Sequence, residues 1–159
     1  MRAQEIITEL TDSSFKWKPK GRDYVFKNSK GNEYEVRFDG RTRRIDNIKT
    51  QSEISIVFVM LPKKKSTPGI GWKTGVGDAF KTFSTVKQIV QHHFARINLS
   101  KIDLVYFQEM SSEPSRMSLY DRFVPEVLKI LGPGWEYESE EPGPYHKIYR
   151  FRNTQKVHQ

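Results

Sequence analysis

Several groups in this chain have the types and spacing to do chemistry. The first is Trp72–Phe80, read "WKTGVGDAF", where Gly75 and Gly77 stand at the mouth of a long apolar-periodic run. Backbone N–H groups at the start of a helix point outward and sit at the positive end of its dipole, so they attract anions. Glycine lets a phosphate approach that backbone because no Cβ is in the way. Lys73 adds charge, Thr74 is placed to cap the helix, and Lys73, Thr74, Gly75, Val76 and Gly77 together form the candidate phosphate seat. A second register, Ser66–Gly71, places Gly69 and Gly71 in the same role, and either pair can also act as a plain hinge. Tyr120, in "SSEPSRMSLYDRF", can supply a proton to a leaving group or pack on a sheet beside Leu119 and Phe123. Glu53 and Glu109, at the ends of two apolar segments, are the carboxylates that could deprotonate an amine; as strand-end residues they also suit the surface. Arg116 lies four residues before Tyr120 and shares a helix face with it, whereas Arg122 fits a solvated cluster with Asp121 and Glu113. His92 and His93 point about 100° apart on a helix and cannot share a metal ion. With no cysteine in the chain, thiolate zinc sites and disulfides are excluded, and no metal site is expected.

These residues need elements to hold them. Residues 3–10 read as a short helix with Ile6, Ile7 and Leu10 on one face. "DYVFKNSKGNEYEVRF" reads as a hairpin turning at Gly31, and a third strand is expected around 43–49. Residues 53–61 are almost continuously apolar and β-branched, as in a strand covered on both faces. A helix follows over 76–97, with Val76, Ala79, Phe80, Phe83, Val86, Val90, Phe94 and Ile97 at three- and four-residue steps. "KIDLVYFQEM" is a second buried strand, residues 113–131 a second long helix with Pro114 in its first turn, and "WEYES" and "YHKIYRF" two closing strands. Hairpin strands followed by a β-α-β-α-β segment specify an α+β fold, a mixed sheet with helices packed on it.

The chain has 159 residues, a formal charge of +8 and 13% aromatic content. That length suits one domain, here 1–152 with a polar tail at 153–159. The aromatic content argues against disorder. The longest apolar run, Ile54–Leu61, is far short of a membrane span, and the first residues are too polar for a signal peptide. A cytoplasmic setting is therefore expected. The positive balance favours anionic partners. Its clusters are Arg41, Arg43 and Arg44 in "GRTRR" and Lys63, Lys64 and Lys65 in "PKKKS", both expected in loops.

The order of elements, with a glycine pair at the first long helix, resembles the GNAT (GCN5-related N-acetyltransferase) fold. That family carries a loop of pattern Gln/Arg-x-x-Gly-x-Gly/Ala after its fourth strand, and a later helix with a motif like Asn-x-x-Ala-x-x-Leu-Tyr. Residues 53–61 match the fourth strand, 102–110 the next strand, and Leu119-Tyr120 the Leu-Tyr pair. "TGVGDAFKTFSTV" followed by "EPSRMSLYDR" is also similar to small GNAT-like proteins of tailed bacteriophages. The chain departs from the pattern at Trp72, Glu113 and Arg116, which stand for Gln/Arg, Asn and Ala. The resemblance implies a mostly antiparallel twisted sheet with one splayed pair of strands and two long helices. It implies acetyl-CoA lying between 57–61 and 104–108, its pyrophosphate on Thr74–Gly77, and Tyr120 as general acid.

Three functions follow as expectations. One is acetyl transfer from acetyl-CoA to an amine entering near 41–49. The second is a catalytically inactive GNAT-like phage protein that binds an acidic protein or host factor in the host cytoplasm. The third is nucleic-acid binding through Arg41–Arg44 and Lys63–Lys65.

Overall fold

The computed structural model describes residues 14–61, 76–109, 114–143 and 146–155. Among the described residues, seven strands and two α-helices occur in the order β1 (Trp17–Lys20), β2 (Asp23–Lys27), β3 (Glu33–Arg44), β4 (Thr50–Met60), α1 (Val76–Phe94), β5 (Leu104–Glu109), α2 (Pro114–Leu131), β6 (Trp135–Gly143) and β7 (His146–Asn153). The sheet order is β1-β2-β3-β4-β5-β7-β6. β4 and β5 are parallel, and β1–β2, β2–β3, β5–β7 and β7–β6 are antiparallel. This is the mixed α+β arrangement expected from the sequence: hairpins first, then a β-α-β crossover, then a second crossover that returns through a closing hairpin.

The chain forms two compact units, Met1–Arg37 with Phe58–Ile89 and Phe38–Val57 with Val90–Gln159; β3, β4 and α1 contribute to both. In the first unit, Tyr24, Phe26, Tyr34 and Val36 alternate inward and are buried. Phe26 stacks between Phe15 and Tyr34 at 6.1 and 5.1 Å, and Phe58 closes the group at 5.3 Å from Tyr34. α1 joins this core through Val86 and Ile89. Fully buried Thr85 ties the chain entering β1 to the helix: its hydroxyl accepts from Phe15 N–H at 2.8 Å and donates to Lys81 O at 2.7 Å. The turn between β2 and β3 uses Gly31 at φ +76°, as its sequence predicts. Asn28 braces that turn, its Oδ1 accepting from Lys30 and Asn32 N–H.

In the second unit, Val105, Phe107, Tyr149 and Phe151 are buried against Phe123, Val127 and Leu131 of α2. A polar clamp fixes the start of β5. Ser52 N–H donates to Asp103 Oδ2, Asp103 N–H to Ser52 O, and Asn153 N–H to Asp103 O, so β4, β5 and β7 are locked at one level. α2 starts at Pro114, where a missing N–H costs nothing, and stops at Gly132, φ +89°, whose N–H caps Leu128 O at 2.9 Å.

Several sequence expectations need correction. β3 runs unbroken from Glu33 to Arg44, so there is no separate strand at 43–49; residues 45–49 are the turn into β4. Arg41, Arg43 and Arg44 therefore lie in a strand and not a loop. α1 ends at Phe94 rather than Ile97, and Phe80, placed on its apolar face by spacing, is 48% exposed. β1 was not anticipated, because Trp-Lys-Pro-Lys lacks apolar alternation; it holds the sheet edge, where proline is tolerated. The expected helix at 3–10 and the cluster Lys63–Lys65 lie outside the described residues.

Candidate active site

β4 and β5 supply the feature that positions the site. Their register runs only from Glu53↔Leu104 through Ile54↔Val105 to Ser55↔Tyr106. Both strands then continue, β4 to Met60 and β5 to Glu109. On its other side β5 stays paired with β7 along its whole length, to Glu109↔Lys147. Phe107 and Gln108 thus keep one neighbour and lose the other. A parallel pair that stops while its strands run on leaves backbone N–H and C=O groups on one edge, and these need other acceptors and donors.

Side chains alternate across a strand, so the register assigns faces. Val105, Phe107, Lys147, Tyr149 and Phe151 share the face that carries α2. Tyr120 sits on that face, half-buried, with its ring 5.7 Å from Phe107 and 6.1 Å from Tyr149. It therefore lies over the residue that directly follows the last β4–β5 pair. Next to it on the helix, Asp121 Oδ1 accepts from Lys147 Nζ and from Tyr149 Oη, both at 2.8 Å. Partial burial pushes the Asp121 carboxyl up, but the two hydrogen bonds outweigh it and hold it below its ordinary value. The bond to Asp121 holds the Lys147 ammonium above its ordinary value. Asp121 is thus engaged with β7, while Glu113, the other carboxylate expected around Arg122, lies outside the described residues.

Glu53 lies on the opposite face, with Leu104 and Tyr106. It is 3% exposed and stands inside β4, three residues past the strand start, contrary to the surface position expected for it. Its Oε2 accepts from Arg41 Nε at 2.9 Å, and Arg43 Nη1 is 4.0 Å from Oε1. The hydrogen bond to Glu53 and the nearby Tyr106 phenol raise the Arg41 guanidinium above its usual value. The ion pairs Arg150–Glu140 and Arg152–Glu138 occupy the same face. Tyr120 and Glu53 are therefore not brought together: a sheet separates them.

Of the candidate phosphate seat, Val76 and Gly77 form the first turn of α1, while Lys73, Thr74 and Gly75 lie outside the described residues, as do Gly69, Gly71 and Trp72. Glu109 closes β5, and Arg116 lies in the first turn of α2. His93 stacks on Phe38 at 3.8 Å and meets Phe94 edge-on, and burial, with His92 beside it, lowers its pKa. Sequence reasoning missed Asp121, Lys147 and Tyr149. The signal was present in "HKIYRF", where alternation puts Lys147, Tyr149 and Phe151 on one face, but only the α2–β7 packing reveals the shared acceptor.

No protein-family model matches the chain, and no curated protein does. Among solved structures, a spermidine N-acetyltransferase chimera from Vibrio cholerae and hSSAT is similar over 86% of this chain and 69% of its own, with a TM-score of 0.33 and 11% identity. Among the described residues, no helix is long and apolar enough to cross a membrane.

Proposed function

We propose that this chain is a GNAT-type acetyltransferase-like protein of one domain, which binds acetyl-CoA along the edge of β5 that β4 leaves. The observation that carries this reading is the end of the β4–β5 pairing at Ser55↔Tyr106, with Tyr120 packed on Phe107 one residue further on. The freed β5 amides and carbonyls suit the amide-bearing arm of the cofactor, and Tyr120 suits return of a proton to the departing thiolate. Lys73, Thr74, Gly75, Val76 and Gly77 remain the residues proposed for a pyrophosphate. The acceptor amine belongs near 41–49, on an acidic or nucleic-acid-bearing molecule, and the reaction in the cytoplasm. Glu53 does not serve as base to Tyr120 in this scheme, because its carboxylate is held by Arg41 on the other face.

One observation favours a second reading: Glu53, the carboxylate named for the base, is held by Arg41 on the face away from Tyr120, and Asp121 beside Tyr120 is bonded to Lys147 and Tyr149. The chain would then be a phage-encoded, catalytically inactive relative that binds a host protein. Thermal unfolding with and without acetyl-CoA separates the two. A ligand at a hundred times its Kd contributes roughly 2.7 kcal/mol. For a chain this size that raises Tm by roughly 5–10 °C. The Tyr120→Phe variant should keep the shift and lose acetyl transfer. A well-folded protein with no shift refutes the cofactor reading and leaves the binding module.

A further inference from the structure

The end of the β3–β4 hairpin, near which the proposed acceptor enters, lies apart from the β5 edge and Tyr120 and has a built structure of its own. Residues 39–50 are exposed without interruption. The turn is closed by Ile45 N–H bonding to Lys49 O at 3.0 Å, and Asp46 Oδ1 accepts from both Ile48 and Lys49 N–H at 2.7 and 2.6 Å. Those two backbone bonds lower the Asp46 carboxyl pKa, so the turn stays braced and its charge is spent locally. The braced turn holds Ile48 at 92% exposure and Ile45 at 57%. Behind this tip stand Arg41, Arg43, Arg44 and Lys49. Glu53 holds Arg41 firmly and Arg43 only at 4.0 Å, and Arg44 has no carboxylate partner among the described residues. Arg43 and Arg44 point to opposite faces of the ribbon, so the arm presents cations on both sides of an apolar point.

We infer that this hairpin is a DNA-binding arm that enters a groove of a duplex, with Ile48 as an apolar wedge between stacked base steps and Arg43, Arg44 and Lys49 on the flanking phosphates. A two-stranded ribbon fits a groove of B-DNA, and phosphates line both walls of that groove. An aliphatic side chain at the leading point, flanked by cations, is the chemistry that unstacks a base step and bends the duplex. An acidic protein surface would use the same cations but leaves a rigid, almost fully exposed isoleucine without a purpose.

The test uses the full chain and a 20-base-pair duplex labelled at both ends. Three phosphate contacts give a slope near −2.7 in log K against log salt, so affinity falls by about 40-fold between 50 and 200 mM salt. Energy transfer between the labels should rise on binding as the duplex bends. Ile48→Ser should bind with nearly unchanged salt dependence and lose the bend; Arg44→Ala and Lys49→Ala should each lower the slope by about 0.9. All three positions are exposed, so the melting temperature reports intact folding. A salt-independent affinity, an unbent duplex, or binding by the Arg43→Ala/Arg44→Ala/Lys49→Ala variant equal to the parent overturns the inference. So does competition by polyglutamate at equal charge that matches the duplex, which would mark an acidic-protein surface instead.

Discussion

The hydrogen bonds converging on Asp121 allow a sharp test of how the sheet holds α2. Tyr149 is completely buried and its hydroxyl donates to Asp121 Oδ1 at 2.8 Å. Lys147, 14% exposed, donates to the same oxygen at 2.8 Å, while the Asp121 side chain is 52% exposed. The two partners therefore differ in what their removal leaves behind. Tyr149→Phe takes away a hydroxyl and leaves a half-exposed carboxylate that water and Lys147 still satisfy, at a cost of about 1 kcal/mol. Asp121→Ala leaves a buried hydroxyl without its acceptor and removes the partner of the Lys147 ammonium, at a cost of about 2–3 kcal/mol. In a chain of 159 residues those values lower Tm by about 3 °C and about 7 °C respectively. The double variant removes the stranded hydroxyl as well as its acceptor, so it should be less destabilised than the sum by about 1 kcal/mol. Urea unfolding of the parent, both single variants and the double variant measures all four terms. Equal costs for the two single changes, or strict additivity, would refute the argument that burial of the donor sets the penalty.

The same groups set a pH dependence. The folded pKa of Asp121 lies below its ordinary value, so its contribution is present above about pH 3.9 and is lost as pH falls through the folded value; Asp121→Asn should flatten acid unfolding between about pH 5 and 2. The folded pKa of Lys147 lies above its ordinary value, so its contribution is complete below about pH 10.4 and is lost as pH rises through the folded value; Lys147→Met should flatten alkaline unfolding. In the first unit, Thr85→Val keeps the shape but leaves Phe15 N–H without its acceptor, and chemical unfolding should show a loss of about 1–3 kcal/mol. A neutral result there would mean that the Phe15–Thr85 contact does not hold the chain entering β1 to α1.

How far the residues alone reached depended on whether a signal was local. Near-continuous apolar runs announce β4 and β5, and three- and four-residue apolar steps announce both helices, because period and burial are written into neighbouring positions. Gly31 and Gly132 mark their turns because only glycine takes their positive φ without strain. The α+β order followed, and with it the resemblance that suggested Tyr120. Where the local signal was weak the reading failed. Lys-Pro-Lys in β1 has no apolar face to read, and "GRTRR" has turn composition yet continues β3, since pairing with β4 decides the matter.

What only the tertiary structure decided is which residues meet. Glu53 and Tyr120 each suit a proton transfer by type, but the parity of the strand register puts them on opposite faces of the sheet. Glu53 acquires Arg41 from the neighbouring strand, and Asp121 acquires Lys147 and Tyr149 from a strand 26 and 28 residues later. Hydrophobic period fixes an element's own geometry, which a sequence carries in adjacent residues. Register and crossover fix the partners of each side chain, and those are set by the packing of distant elements around a common core.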